Sequence, residues 1–271
     1  MQTFWIGLVL ALVSAVAVNW AYAKEHDAAA TLPPLTLRAP RRSLRLLLGA
    51  RAWVVAFAVE TAGWLVYVAA LRLAPLALVQ AVCAAGIAVL AFVSVGGRVR
   101  SLSIRERAGV AIAFLGLLLL GLSLVGPHQA DRAPDALGVV LWLGACAAGA
   151  AAAAAFLSPA GSRDAALGLA AGLLFAGGDI SAKLLGYGGR WFIVVLPLIA
   201  CYGLGTSVLQ GAFQRGRVLA AAGIATLTTN AVPIAAGFVL FDESLPSGTA
   251  GGLQIAALAA IVVSATLLGR P

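Results

Sequence analysis

The stretch Ala52–Leu71, AWVVAFAVETAGWLVYVAAL, decides the fold. Its twenty residues are almost all apolar, and a helix of that length crosses the hydrocarbon core of a bilayer. Its one charge, Glu60, stands near the centre. A carboxylate there costs roughly 2.5–3.5 kcal/mol on insertion scales, so it is paired, neutral or functional.

Outward from that segment the pattern repeats. Of 271 residues, 62% are hydrophobic and 10% charged, and the mean hydropathy is +1.02. A soluble domain so composed would expose far more apolar surface than water tolerates. The fold class expected is an all-α integral membrane protein. Strands of about ten residues with alternating polarity, the mark of a membrane barrel, do not occur. Nine spans are expected, near 3–23, 51–71, 76–96, 106–125, 136–158, 165–185, 191–213, 218–240 and 249–269.

The net charge of +8 does not point to nucleic acid, because the arginines sit at membrane edges rather than on one soluble face. Cys83, Cys146 and Cys201 lie within apolar segments and read as small buried hydrophobes. No zinc spacing, phosphate loop, nucleophile elbow or triad occurs, so neither an enzyme nor a cofactor is expected. "AYA" at Ala21–Ala23 looks like a signal-peptidase site, but the preceding residues carry no Lys or Arg. A retained first helix is expected.

Loop charge sets the orientation. With the N-terminus outside, fourteen of the eighteen Lys and Arg fall on the cytoplasmic side, and Arg72, Arg132, Lys183 and Arg190 on the other. The expectation is a multi-pass protein of the cytoplasmic (inner) membrane, N-terminus out and C-terminus in. The long loop 24–50 is basic. Within it, SLRLLLGAR (Ser43–Arg51) reads as a segment lying along the inner surface, either as an anionic-lipid site or as a topology signal alone.

A shift of 143 residues places Ser101-Leu102 on Ser244-Leu245, Gly109 on Gly252, and Ile112, Ala113 and Leu115 on Ile255, Ala256 and Leu258. Span three then pairs with span eight, which runs the opposite way. That is an inverted repeat, as in many secondary transporters. The halves expected are 1–125, with four helices, and 136–271, with five.

Several stretches resemble the drug/metabolite transporter (EamA-type) superfamily. ALRLAPLALVQ (Ala70–Gln80) is similar to its Ala-Leu-x-x-Ala-Pro-Leu stretch, and FDESLPSGTAGG (Phe241–Gly252) to its Glu-x-Leu loop with a following glycine. Arg100 stands where the first-half copy of that motif usually has Glu. GLVLALVSA (Gly7–Ala15) is similar to the NIPA-type branch, described as magnesium transporters, and nine helices fit that branch too. The resemblance implies fold and transport class. It supplies no substrate-binding residue, and Glu243 is expected to serve its loop.

The polar residues within spans are the candidate site. Glu60 shares a helix face with Trp53, Phe57, Gly63, Trp64 and Tyr67, a face that could hold a cation by charge and aromatic ring or carry a coupling proton. Its structural alternative is a neutral carboxyl bonded to a neighbouring helix. Asp179 and Lys183, four apart, are expected to form a structural ion pair. Gly168 and Gly172 have the spacing that admits a close helix. Tyr202, Thr206 and Gln210 form a polar stripe, as do Thr226, Thr229, Asn230 and Pro233, whose ring frees the Thr229 carbonyl. Each stripe lines a pocket or binds a neighbouring helix. Gln80 and Asn19 suit interhelical hydrogen bonds, and Glu25 and His26 are expected in the solvated inner loop.

The leading expectation is a secondary transporter with alternating access that moves a small metabolite or cationic solute, coupled to protons. The second is a NIPA-like magnesium transporter, with Glu60, Asp179, Asn230 and water as ligands. The third is a non-transporting membrane partner or a carrier of a lipid intermediate. The implied partners are the small-molecule or ion substrate and the lipid bilayer. A homodimer is compatible with each reading.

Overall fold

The computed structural model describes residues 2–35, 39–71, 73, 82–83, 86–98, 102–123, 134–157, 163–185, 187–214, 216–241 and 248–269. Its regular elements are all helical. They are α1 (Gln2–Ala30), α2 (Pro40–Gly49), α3 (Arg51–Leu71), α4 (Gly86–Ser94), α5 (Ile104–Ser123), α6 (Ala136–Ala152), α7 (Arg163–Leu185), α8 (Val195–Phe213), α9 (Val218–Leu240) and α10 (Thr249–Gly269). A wider π turn, Ala153–Leu157, extends α6, and a 3-10 turn, Gly189–Val194, leads into α8. Among the described residues, seven helices are long and apolar enough to cross a membrane. The chain is an α-helical protein of membrane type. Span three of the nine expected falls largely outside the described residues, with α4 at its end. Span four is α5, whose first turn carries Arg105, Glu106 and Arg107.

Helix α1 is longer than expected, and this matters for the site. The expected span ended at Ala23, yet the helix runs on through Lys24–Ala30. That stretch holds three alanines and no breaker. The stop comes at Thr31, whose N–H and hydroxyl both donate to the Ala28 carbonyl, before Pro33 and Pro34.

Close approaches depend on glycine. A Cβ at Gly63 of α3 would meet Val18 Cγ2 of α1 at 2.9 Å. A Cβ on Gly172 would lie 2.6 Å from Thr228 Cβ and 2.8 Å from the Ala225 carbonyl, and one on Gly168 would strike the Ala221 carbonyl. The two glycines of α7 thus let α9 approach backbone to backbone. The main packing pairs are α1 with α3, α5 with α10, α7 with α8, and α7 with α9. Lesser contacts join α1 to α4, α4 to α5, α9 to α10, and α1 to α8.

One end of the bundle gathers the basic loops. Arg217 donates to Glu106 Oε1 and to the Leu268 carbonyl, both at 3.1 Å, and its backbone N–H donates to Asp164 Oδ2 at 2.9 Å. Four helices, α5, α7, α9 and α10, are tied there through one arginine. Ser103 and Glu106 cap α5 reciprocally: Ser103 N–H donates to Glu106 Oε2 at 2.9 Å and Glu106 N–H to Ser103 Oγ at 3.2 Å. Gln214, after α8, donates to the carbonyls of Ala29, Leu32 and Pro33 and accepts from Leu35 N–H at 2.8 Å, closing the turn that follows α1.

Candidate functional site

The site is built on α1, α3, α7 and α8, with α1 packed on α3 and on α8, and α8 packed on α7. On α3 the packed face carries Trp53, Ala56, Glu60, Gly63, Tyr67 and Ala70, all at three- and four-residue steps. The structure departs from the expected face here. Trp64 is 46% exposed and Phe57 37%, both on the outer surface of the bundle, where Phe57 stacks on Trp53 at 4.9 Å. Of the aromatic residues expected around Glu60, Trp53 and Tyr67 stay on its face.

The partner of Glu60 is Glu25. The extension of α1 carries Glu25 inward, where it is 1% exposed, one turn beyond Tyr22. The Glu60 carboxyl lies within hydrogen-bonding reach of Glu25 and of the Tyr22 hydroxyl. Gln210 of α8, itself 1% exposed, donates its amide N–H to Glu25 Oε2. Glu25 Oε1 has no donor, and neither glutamate has an ion-pair partner among the described residues. The expectation that Glu25 and His26 are solvated is corrected: a helix with no breaker before Pro33 turns both inward. His26 Nε2 lies 2.9 Å from the Gly216 carbonyl, its ring edge-on to Phe213 at 5.8 Å.

A second acid lies further along the bundle. The Tyr202 hydroxyl of α8 donates to Asp179 Oδ1 of α7 at 2.5 Å. Gly178 makes this possible, since a Cβ there would meet the Tyr202 ring at 2.9 Å. The expected Asp179–Lys183 ion pair is therefore corrected. A closer tertiary partner takes the carboxylate, and Lys183 Nζ lies over the Phe241 ring, 4.0 Å from its centroid. Tyr67 is within electrostatic range of Asp179, and Asp179 in turn of Tyr22.

The stripe Tyr202–Thr206–Gln210 thus spans both acids. Tyr202 takes Asp179, Gln210 takes Glu25, and Thr206 is half-buried between them. The α9 stripe is used otherwise. Thr229 Oγ1 donates to the Gly172 carbonyl at 3.4 Å, and Asn230 Nδ2 folds back on the Thr226 carbonyl at 2.7 Å. Asn19 likewise bonds back to the Ala15 carbonyl at 2.9 Å. Gln80 lies outside the described residues.

The chemistry of the pair follows from electrostatics. Two carboxylates within hydrogen-bonding reach of each other in a low-dielectric surrounding repel strongly, and among the described residues no guanidinium or ammonium pairs with either. A proton or a cation closes such a contact. Among the described residues, no three of His, Cys, Asp and Glu gather as a metal-ion site.

No family model, curated protein or solved structure matches the chain. What the protein does is thus read from this site and from the helix arrangement. Glu25 and Tyr22 were absent from the expected site. The available signal was the unbroken run Ala21–Ala30, which places Glu25 three residues beyond Tyr22 on one face.

Proposed function

We propose that the protein is a secondary transporter of the EamA type, moving a small metabolite or cationic solute across the cytoplasmic membrane by alternating access with proton coupling. The observation that carries this is the Glu25–Glu60 pair, a buried and a half-buried carboxyl group within hydrogen-bonding reach of each other, with no basic partner among the described residues. Intramembrane acids facing a bundle interior mark ion and proton paths.

The helix arrangement supports the reading. In the first half, α1 packs on α3 and α4, and α4 on α5. In the second, α7 packs on α8 and α9, and α9 on α10. These sets match when each helix is paired with the one five spans later. An odd shift reverses direction, as an inverted repeat of nine spans requires. The halves 1–125 and 136–271 then meet at α1–α8 and α5–α10. Glu25 and Glu60 come from one half and Gln210 from the other, so motion between halves would change what the pair touches.

The test is flux into proteoliposomes under an imposed pH gradient, with tetraphenylphosphonium as the organic cation and Mg2+ with an entrapped indicator in parallel. Wild type should move the organic cation, and Glu60→Gln and Glu25→Gln should not. Unchanged pH-driven transport in both variants would remove the pair from the mechanism. Mg2+ flux that both variants lose would replace this reading with the magnesium one. No flux of either by folded wild type would favour a non-transporting membrane partner.

A further inference from the structure

Helix α2 stands apart from the transport path. It is a ten-residue helix between α1 and α3, begun by Pro40 in its first turn. One side is moored: Leu47, 6% exposed, packs with Ala28, Leu35 and Trp53. The next side is open. Leu44 and Leu48 are 54% and 58% exposed, although both are apolar and one helical turn apart. Beside them Arg41 and Arg45, also one turn apart, share a shallow depression with the two leucines. Both arginines are exposed, and neither makes an ion pair or side-chain hydrogen bond among the described residues. The sequence holds no Asp or Glu between Asp27 and Glu60 to supply one.

Two guanidinium groups next to an apolar ledge, at the basic end of a membrane-type bundle, match one kind of molecule. A phosphodiester accepts paired N–H donors from guanidinium groups, and the attached acyl chain covers leucine side chains. An amphipathic helix of this kind lies in the interface plane, with leucines at the acyl boundary and arginines at headgroup level. We propose that α2 is a binding site for an anionic phospholipid, its phosphate held by Arg41 and Arg45 and its acyl chain laid over Leu44 and Leu48. The site is independent of the Glu25–Glu60 pair and of any transport.

The experiment reconstitutes the full chain in vesicles of equal phosphatidylglycerol and phosphatidylcholine, extracts it gently and weighs the retained lipid by native mass spectrometry. Wild type should retain phosphatidylglycerol in preference. Arg41→Gln and Arg45→Gln should each lower that preference about fivefold, from about 1 kcal/mol per basic residue near a membrane surface. Arg107→Gln, an exposed arginine on α5, should leave it unchanged. Adding inorganic phosphate should not strip the lipid. Parity of the two lipids in wild type would overturn the proposal, as would an unchanged preference in the α2 variants. An equal loss in Arg107→Gln would reduce the effect to general charge, and displacement by phosphate would make it an anion site without lipid. Either result also overturns the assignment.

Discussion

Two pairs of acids in this protein, each with one buried and one half-buried member, are arranged in opposite ways. At the basic end, Asp164 and Glu106 meet Arg217: one Asp164 oxygen accepts Ala165 N–H at 2.9 Å, the other accepts Arg217 N–H at 2.9 Å, and the guanidinium reaches both acids. Each carboxylate there has a base and a backbone donor. Glu25 and Glu60 have each other, a tyrosine hydroxyl and one amide, but no base among the described residues. Compensated acids hold helices together. Acids left facing each other are costly to keep, and their charge state can follow a ligand.

Changes to either group should break or sharpen this contrast. The largest effect is expected from Glu60→Gln or Glu25→Gln. Each should reduce pH-driven transport in proteoliposomes by about a hundredfold or more, the loss typical of removing an essential proton-transfer group. The thermal midpoint in detergent should not fall, since the glutamine amide keeps the shape and offers a donor to the remaining carboxyl group.

Asp164→Ala should do the reverse. It removes an ion pair and the acceptor of two backbone N–H groups from a site 5% exposed, so stability should drop by about 2–4 kcal/mol in denaturant unfolding. Transport per folded molecule should change far less than in the glutamate variants. A comparable drop in specific transport would give the latch a role in the cycle.

Smaller effects separate packing from the site. Gly172→Val forces a side chain against Thr228 and the Ala225 carbonyl and should destabilise by about 1–3 kcal/mol. Tyr202→Phe removes the hydroxyl from Asp179 and should cost about 1.5–3 kcal/mol if Asp179 is ionised, and about half that if it is protonated. The size of the Tyr202→Phe loss reports which state Asp179 holds. Trp64→Leu, on the outer surface, should change transport and stability by less than about 0.5 kcal/mol.

Hydropathy carried much of this picture. The segment around Glu60 is a helix over Arg51–Leu71, one residue longer than the stretch that announced it, and its centre does face the interior. The Gly168–Gly172 spacing marked a close helix contact because small residues act through backbone approach, which sequence shows directly. What escaped was set by tertiary partners. Glu25 looked like a loop residue because charge near a helix end is normally solvated. Only the packing of α8 against α1 brings Gln210 to it. Asp179 and Lys183 have the spacing of an ion pair, but Gly178 admits Tyr202, whose hydroxyl donates to the Asp179 carboxylate. Helical spacing alone did not distinguish Trp64 from Tyr67, which lie on opposite sides of the boundary between the outer surface and the interior.

The most direct measurement is proton release. Purified protein in weakly buffered detergent solution would receive tetraphenylphosphonium while a pH indicator is followed. An acid pair that exchanges its proton for a cation predicts acidification in wild type and none in the Glu25→Gln/Glu60→Gln double variant. Cation binding without acidification in wild type, or acidification that persists in the double variant, would contradict the account.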